Sequence, residues 1–346
     1  MLVSMLVSMK WLVFQSQVLS PYHQNINHYC LLCLGVLGDQ QAALFGQTCF
    51  EVGESKCTYG TGAFLLMNTG KDLIHSKSGL LTTVAHKLGK DAPMYYALEG
   101  SIAYGGSLIA WLKDNLEIIT NTKLTEELAL KVKDNGGVYF VPAFAGLYAP
   151  YWRDDARGII AGLSAYNNKH HVIRAALEAA AFQTSQVLEA MHDDSKIKIV
   201  DLKVDGGMTK NNLLMQFQSD IINAKVITPV SAETTALGAA FSAGLAVKFW
   251  KSQDELKKIW KHGKTWNPTM EDNQRIQLKH NWLKAVARSL NWVEKNNSGD
   301  EFLKYLPSTA ASLRTTTKMN STGPKSTKLG MVLCIATGIL IGTQIR

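Results

Sequence analysis

Two glycine-rich turns, each placed directly after an apolar run, constrain the fold of this chain more than any other feature. One is TYGTG at residues 58–62, and the other is VDGG at residues 204–207. Glycine has no Cβ, so the backbone N–H groups of such turns can approach an anion closely. The segment GDQQ at residues 38–41 precedes both turns. The combination predicts a nucleotide held in a cleft beside an acidic residue.

Composition is that of a globular protein, with 346 residues of which 46% are hydrophobic and 18% charged. The formal net charge is +8, but the cations are spread along helical patterns without interleaved aromatic residues, which excludes a nucleic-acid-binding surface. Five cysteines in a chain of this length do not form a disulfide framework and indicate a reducing compartment. Cys30 and Cys33 have C-x-x-C spacing in a leucine-rich setting without a second ligand pair, which favours buried thiols over a metal site.

Apolar strand-like runs alternate with helical patterns along the chain, which predicts an α/β fold. The sequence predicts a strand over residues 29–37, a hairpin over 56–67, a strand over 138–144 and a strand over 197–204. Helices are predicted over residues 168–192 and 273–290, the second with Ile276, Trp282, Leu283 and Val286 on its apolar side. A further helix carries Ala236, Ala240 and Gly244 on one face, where another backbone can approach closely.

Polar residues follow the apolar runs at three places. Asp39 comes after an apolar run, where a carboxylate can accept a proton from a substrate hydroxyl; taken alone, such an aspartate is more often a helix cap. Thr61 adds a hydroxyl donor to its glycine turn. Gly206 and Gly207 lead to Asn211 at the start of a helical pattern, where the amide can bind a ribose or base.

These motifs, in this order, resemble the C-terminal part of the glycerol kinases, members of the FGGY carbohydrate kinases with the ribonuclease-H-like fold of actin, hexokinase and Hsp70. The resemblance covers roughly residues 37–292. The sequence around residues 80–100 is more similar to the animal enzymes than to the bacterial ones. The matching stretches are 38–47, 58–62, 96–100, 141–152, 158–178, 204–207 and 235–240.

The resemblance implies a role for each matching residue. Asp39 would be the general base that takes a proton from glycerol, Gln40 would hold another hydroxyl, and Phe64 would pack on the carbon skeleton. Thr61 and Gly62 would meet the phosphates of ATP, which binds with Mg²⁺. The rest of the nucleotide site would be formed by Gly106, Gly206, Gly207 and Asn211. Ala110 stands where the bacterial enzymes have a glutamine.

The resemblance separates a non-family extension (residues 1–33) from a kinase C-terminal domain (34–295). Composition then indicates a polar Ser/Thr-rich linker (296–328) and an apolar tail (329–346). The tail is either a short membrane anchor, for which the mitochondrial outer membrane is the natural destination, or a loosely packed end of an otherwise cytoplasmic protein.

The family's N-terminal lobe has no counterpart in this sequence, and a two-lobed active site is not expected to work with one lobe. The sequence is compatible with three functions. The first is phosphorylation of glycerol by ATP, in a chain that self-associates as glycerol kinases usually do. The second is a catalytically inactive, kinase-derived binding protein tethered to a membrane. The third is the same chemistry on a sugar.

Overall fold

A mixed β-sheet organises the computed structural model of the chain, which describes residues 35–294. The strands are β1 (Ser55–Tyr59), β2 (Ala63–Gly70), β3 (Leu81–Lys87), β4 (Met94–Ile102), β5 (Tyr139–Val141), β6 (Ile159–Ala161), β7 (Asp201–Gly206), β8 (Lys225–Pro229) and β9 (His262–Trp266). The α-helices are α1 (Asp39–Gly46), α2 (Gly106–Asp114), α3 (Thr125–Ala129), α4 (Lys169–Ser195), α5 (Asn212–Ile222), α6 (Thr234–Ala246), α7 (Gln253–Ile259) and α8 (Asp272–Ser289). Short 3₁₀ turns cover Thr122–Leu124 and Gly207–Lys210.

Seven strands form the main sheet in the order β3-β4-β2-β1-β7-β8-β9, and β5 pairs with β6 in a separate ribbon. The strands β1, β2, β4 and β3 are joined in antiparallel pairs, whereas β1, β7 and β8 run parallel. In the parallel pair, Tyr59 lies opposite Gly206. Because the carboxyl ends of parallel strands meet at one edge of a sheet, the two glycine-rich turns become neighbours.

One face of the sheet is apolar and packs on helix α4. Along β1, β2 and β7 the alternate residues Cys57, Leu65 and Val204 are fully buried in the main core with the alanine-rich side of α4. The strict alternation of strand side chains places the intervening residues on the opposite face.

The opposite face carries polar side chains on β1 and β7 and a smaller apolar cluster on β2, β3 and β4, and it is partly covered by α1, which packs against α6. These two helices touch through glycines, since a Cβ at Gly46 would lie 1.9 Å from the Thr234 carbonyl oxygen and one at Gly238 would lie 1.8 Å from the Ala42 carbonyl oxygen. Only glycine permits this backbone contact. The small-residue face predicted from Ala236, Ala240 and Gly244 is not the one that makes this contact. Ala236 and Ala240 are exposed, a Cβ at Gly244 would meet the Trp250 ring, and the close approach is made at Gly238.

Most of the predicted elements are confirmed, with three differences. The hairpin over residues 56–67 is formed by β1 and β2, and the long helix is α4. The strand predicted over 138–144 is shorter (β5), and the one predicted over 197–204 begins only at Asp201. The prediction that Asp39 directly follows a strand is wrong. Residues 35–38 form no strand, and Asp39 is the first residue of α1.

The apolar side predicted for the last helix is partly wrong. Trp282 and Val286 are buried, but Ile276 and Leu283 are 65% and 51% exposed. Arg275 occupies the inner side instead, donating from Nε to the Asp220 carbonyl oxygen at 2.6 Å. A guanidinium buried against a distant carbonyl oxygen cannot be inferred from the local periodicity of apolar residues.

Several sequence predictions concern residues outside the described part of the chain. These are the extension 1–33 with its Cys30 and Cys33, residues 29–34 of the strand predicted over 29–37, the linker 296–328 and the tail 329–346. Across residues 35–294, none of the helices combines the length and the apolar character that crossing a membrane requires.

Candidate active site

A cleft of about 910 Å³ opens at the carboxyl edge of the sheet, where the two glycine-rich turns meet. Its lining includes four of the predicted nucleotide-binding residues: Thr61, Gly106, Gly207 and Asn211. Positions 62 and 206 are their chain neighbours and set the backbone path around the cleft. The structure thus brings together residues that are up to 150 positions apart in the sequence.

The β1–β2 hairpin and the start of α2 are tied together at the floor of this cleft. The Gly106 N–H donates to the Gly60 carbonyl oxygen at 2.9 Å, and the Ser107 N–H donates to the Thr61 carbonyl oxygen at 2.9 Å. Gly62 lies so near β4 that a Cβ there would be 2.3 Å from the Ile102 carbonyl oxygen. The N–H groups of Gly106 and Ser107 therefore hold the hairpin, and the exposed Thr61 side chain remains available to a ligand.

Gly206 and Gly207 have different tasks in the second turn. Gly206 has φ +94°, and a Cβ would lie 2.2 Å from the Tyr59 carbonyl oxygen, so both its conformation and the contact with β1 require glycine. A Cβ on Gly207 would meet no atom within 4 Å and would project into the open cleft. The space over Gly207 is therefore where a ligand can approach the backbone closely.

Asn211 has a structural role that was not predicted. Its Oδ1 caps helix α5 by accepting the Leu214 N–H at 2.9 Å, so the carbonyl end of the amide is occupied. The glycine turn is followed by a 3₁₀ turn, and α5 starts only at Asn212. Asn211 also lines the cleft, and the other polar atom of its amide, Nδ2, is a donor.

Part of the cleft wall was not predicted from the sequence. The 3₁₀ turn before α3 and the start of that helix contribute Thr122, Lys123 and Glu126, while Met208 and Lys210 come from the second glycine turn. The two lysines are exposed and add positive charge where an anionic ligand would lie. Lys210 follows the glycine pair closely enough to have been inferred, whereas the 122–126 segment carries no glycine or charge pattern that distinguishes it from a surface helix.

The predicted substrate residues lie on the polar face of the sheet, on the other side of the hairpin. Asp39 begins α1 and is exposed; its Oδ1 accepts the Gln40 N–H at 2.8 Å, and its Oδ2 accepts from Gln40 Nε2 at 3.3 Å. Gln40 in turn is bonded to the buried ammonium group of Lys56, which also donates to Thr58 Oγ1 at 3.0 Å.

Phe64 belongs to the same face. It lies directly opposite Thr58 in the β1–β2 register, one pair before the hairpin, and its ring is 39% exposed. The hairpin tip with Thr61 thus separates two groups of residues. Asp39, Gln40 and Phe64 lie on the side of the polar face, and the nucleotide-like cleft lies at the turn.

Charged groups beneath α1 form a buried network. Asp205 Oδ2 accepts from Gln47 Nε2 at 2.7 Å and from Thr234 Oγ1 at 2.8 Å. Burial raises the pKa of Glu99, while the nearby Lys56 opposes that rise. Burial lowers the pKa of Lys56, against the effect of the carboxylates around it.

The cysteines near the site do not have the properties of nucleophiles. Cys49 and Cys57 are free and fully buried, and burial raises the pKa of each thiol to about 12. A thiol of this kind is protonated at neutral pH and unreactive. Across residues 35–294, the side chains of His, Cys, Asp and Glu form no group of three that could hold a metal ion.

Comparison with known proteins identifies the fold and the family. The sequence pattern of the C-terminal domain of the FGGY family of carbohydrate kinases matches residues 55–247. The chain belongs to this family. The predicted fold class is confirmed, because the match is to the kinase C-terminal domain and the structural neighbours are sugar kinases.

The relatives at high identity are glycerol kinases, which confirms the resemblance inferred from the motifs. A glycerol kinase of Chloroflexus aurantiacus is 60% identical over 260 residues, covering 75% of this chain and 52% of the relative. The crystal structure of Plasmodium falciparum glycerol kinase with ADP is 43% identical, with a TM-score of 0.71, and the match covers 75% of this chain and 51% of that one. A xylulose kinase from Lactobacillus acidophilus, 18% identical with a TM-score of 0.62, shares the fold. The chain spans about half the length of these relatives.

Proposed function

We propose that this FGGY domain contributes the ATP-binding cleft and the general base of an ATP-dependent glycerol kinase, which forms glycerol 3-phosphate. The observation that carries the proposal is the placement of Thr61, Gly106, Gly207 and Asn211 around one cleft, with Asp39 and Gln40 beyond the hairpin. The relatives named glycerol kinase support glycerol as substrate, and the neighbour crystallised with ADP supports an adenine nucleotide.

The proposed chemistry is a direct phosphoryl transfer. The Asp39 carboxylate accepts the proton of a terminal hydroxyl, the hydroxyl oxygen forms a bond to the γ-phosphorus of ATP, and the bond from that phosphorus to the ADP oxygen breaks. Gln40 and Phe64 hold the polyol, and Lys123 and Lys210 lie where they can stabilise phosphate charge. Most of the rate comes from positioning, because the transferred group makes little covalent contact with the protein.

The cleft fits a nucleotide on two counts. Its volume of about 910 Å³ lies within the range typical of small-molecule sites, and the backbone at Gly207 is open to close approach. The described residues fit Mg²⁺ only as an ion that arrives on the phosphates, since such ions are held mainly by phosphate oxygens and water with one or two carboxylates. When bound, the ion would neutralise charge on the phosphates.

The test is ATP-dependent phosphorylation of glycerol by the purified chain. Because the relatives are about twice as long, the assay is run on the chain alone and with the N-terminal half of the Chloroflexus relative added. Turnover in either arm is expected to fall about 10²–10⁴-fold in Asp39→Asn, which cannot accept the proton. Asp91→Asn, the same change at an exposed loop position, is the matched control and should leave turnover unchanged.

An Asp39→Asn variant as active as the wild type would refute the assignment of the base. Absence of turnover in both arms, with ATP still stabilising the fold, would instead favour the kinase-derived binding protein. A panel of glycerol and pentoses in the same assay separates a polyol kinase from a sugar kinase.

The membrane tether and self-association remain predictions from the sequence. We propose that residues 329–346 direct an otherwise cytoplasmic chain to the mitochondrial outer membrane, on the basis of their uncharged apolar run with basic flanks. A fluorescent fusion that is diffuse with the tail intact would contradict this proposal. Sedimentation of the purified chain tests the expected homo-oligomer.

A further inference from the structure

A fully buried lysine lies beneath the proposed substrate site. Lys56 points from β1 onto the polar face of the sheet and has none of its surface exposed. Burying an ammonium group costs several kcal/mol unless it is paired and hydrogen-bonded. The nearby carboxylates of Asp205, Glu99 and Asp39 favour its charged form and oppose the lowering of its pKa by burial.

The bonds made by this ammonium group fix the orientation of a neighbouring amide. Lys56 Nζ contacts Gln40 Oε1 and donates to Thr58 Oγ1 at 3.0 Å. An ammonium group has three donors and no acceptor, so the end of the Gln40 amide that faces it must be the carbonyl oxygen. The opposite end of the amide, Nε2, faces Asp39 Oδ2 at 3.3 Å. Chemistry therefore determines which way this amide points.

We propose that Lys56 is a positioning residue that holds Gln40 as a hydrogen-bond donor toward the substrate. With its oxygen occupied by Lys56, Gln40 can offer a polyol hydroxyl only an N–H. The hydroxyl oxygen must then accept from Gln40, and its own proton is directed to an acceptor. Asp39, bonded to the same amide, is the acceptor at hand. This inference rests on the proposed function for the identity of the substrate, but the Lys56–Gln40 contact does not depend on it.

A second lysine on the same face provides a matched control. Lys203 lies directly opposite Lys56 in the β1–β7 register and is 9% exposed. Its Nζ donates to the carbonyl oxygens of Gln47 and Thr48 at 3.0 and 3.3 Å and pairs with Glu54 at 3.2 Å. None of these groups belongs to the proposed substrate site. Replacing either lysine by methionine removes a buried charge, but only the change at Lys56 removes the contact that orients Gln40.

The experiment compares Lys56→Met with Lys203→Met in the glycerol kinase assay, with the N-terminal half of the Chloroflexus relative supplied. A hydrogen bond to a charged group is worth enough to predict a rise of about 10–100-fold in KM for glycerol in Lys56→Met, with a smaller change in kcat and no change in KM for ATP. Both variants should melt at lower temperature, and Lys203→Met should keep the KM for glycerol. An unchanged KM in Lys56→Met, or equal changes in both variants, would overturn the proposal.

A second readout tests the contact whether or not the chain turns over. The side-chain NH₂ signals of Gln40 in the ¹⁵N spectrum, assigned by their loss in Gln40→Glu, should shift in Lys56→Met and stay in place in Lys203→Met. If the wild type shows no turnover while these shifts appear, the proposed function fails and the positioning of Gln40 by Lys56 stands. Gln40 signals that do not move in Lys56→Met would refute the positioning role.

Discussion

At the scale of single residues, the proposed nucleotide cleft depends on the absence of a Cβ at Gly206 and Gly207. Gly206 is required by its own backbone conformation, whereas Gly207 is free of protein contacts on the side where a Cβ would point. Gly206 is therefore needed for the fold, whereas Gly207 leaves room for a ligand. Substitution at each should separate stability from binding.

Gly207→Ala is expected to fold normally and to bind nucleotide more weakly. Its Cβ would meet no protein atom within 4 Å but would occupy the space over the backbone in the cleft. Without ligand, we expect the melting temperature to change no more than in a typical surface substitution. The apparent affinity for ADP, measured from the rise in melting temperature with ADP concentration, should fall at least tenfold. Unchanged stabilisation by ADP would place the nucleotide elsewhere.

His86 is expected to make the stability of the domain depend on pH between about 6.5 and 4. Its ring is buried on β3, stacked on Tyr95 at 4.8 Å, and its Nε2 lies 3.3 Å from Gln253 Nε2, which suits a neutral imidazole acceptor. Burial lowers the pKa of His86 to about 4. The unfolded chain therefore binds the proton first as the pH falls, and the contribution of His86 to stability, present above pH 6.5, is lost toward pH 4.

The size of this pH effect is roughly 3 kcal/mol at most, from the difference between the ordinary and the shifted pKa. Urea unfolding at pH 7 and pH 4.5 measures it, and His86→Gln should reduce the dependence. His75→Gln, a change at an exposed imidazole, should retain the wild-type pH dependence. Equal pH dependence in wild type and His86→Gln would contradict the assignment.

At the scale of elements, the contact of α1 with α6 positions the proposed base. Asp39 and Gln40 occupy the first turn of α1, and the opposite end of the same helix is fixed by the glycine contact with α6. A shift of α1 would move the carboxylate relative to the hairpin. The contact between the helices is therefore part of the geometry of the site.

Gly238→Ala is expected to destabilise the domain by about 3 kcal/mol or more, because the added Cβ would lie 1.8 Å from the Ala42 carbonyl oxygen, and backbone cannot rotate away as a side chain can. The gain in helix propensity of about 1 kcal/mol does not offset this clash. Ala240→Ser, an exposed change on the same helix, should stay within about 0.5 kcal/mol of wild type. Urea denaturation measures both. A Gly238→Ala variant as stable as wild type would show that the two helices can separate without cost.

The sequence predicted the elements well where local pattern and packing agree. The hairpin over 56–67 and helix α4 carry clear apolar periods and buried faces. The prediction failed where a distant partner decides, as for Arg275, which is buried and bonded to the carbonyl oxygen of Asp220, far along the chain. It also failed at Asp39, since an apolar run before a carboxylate can lead into a strand end or a helix start.

At the scale of the whole molecule, the two parts of the site lie on either side of the β1–β2 hairpin. The proximity of the two glycine turns could be predicted from the sequence, because parallel strands bring their carboxyl ends to the same edge of a sheet. The 122–126 wall of the cleft and the Lys56–Gln40 contact could not, since both depend on how separate segments pack.

The direct test of the central claim is a calorimetric titration of the whole chain with ATP. We expect one site that binds ATP in the wild type and equally in Asp39→Asn, because Asp39 lies outside the nucleotide cleft, and much weaker binding in Gly207→Ala. Binding that is lost in Asp39→Asn but retained in Gly207→Ala, or no heat of binding at millimolar ATP, would contradict the account.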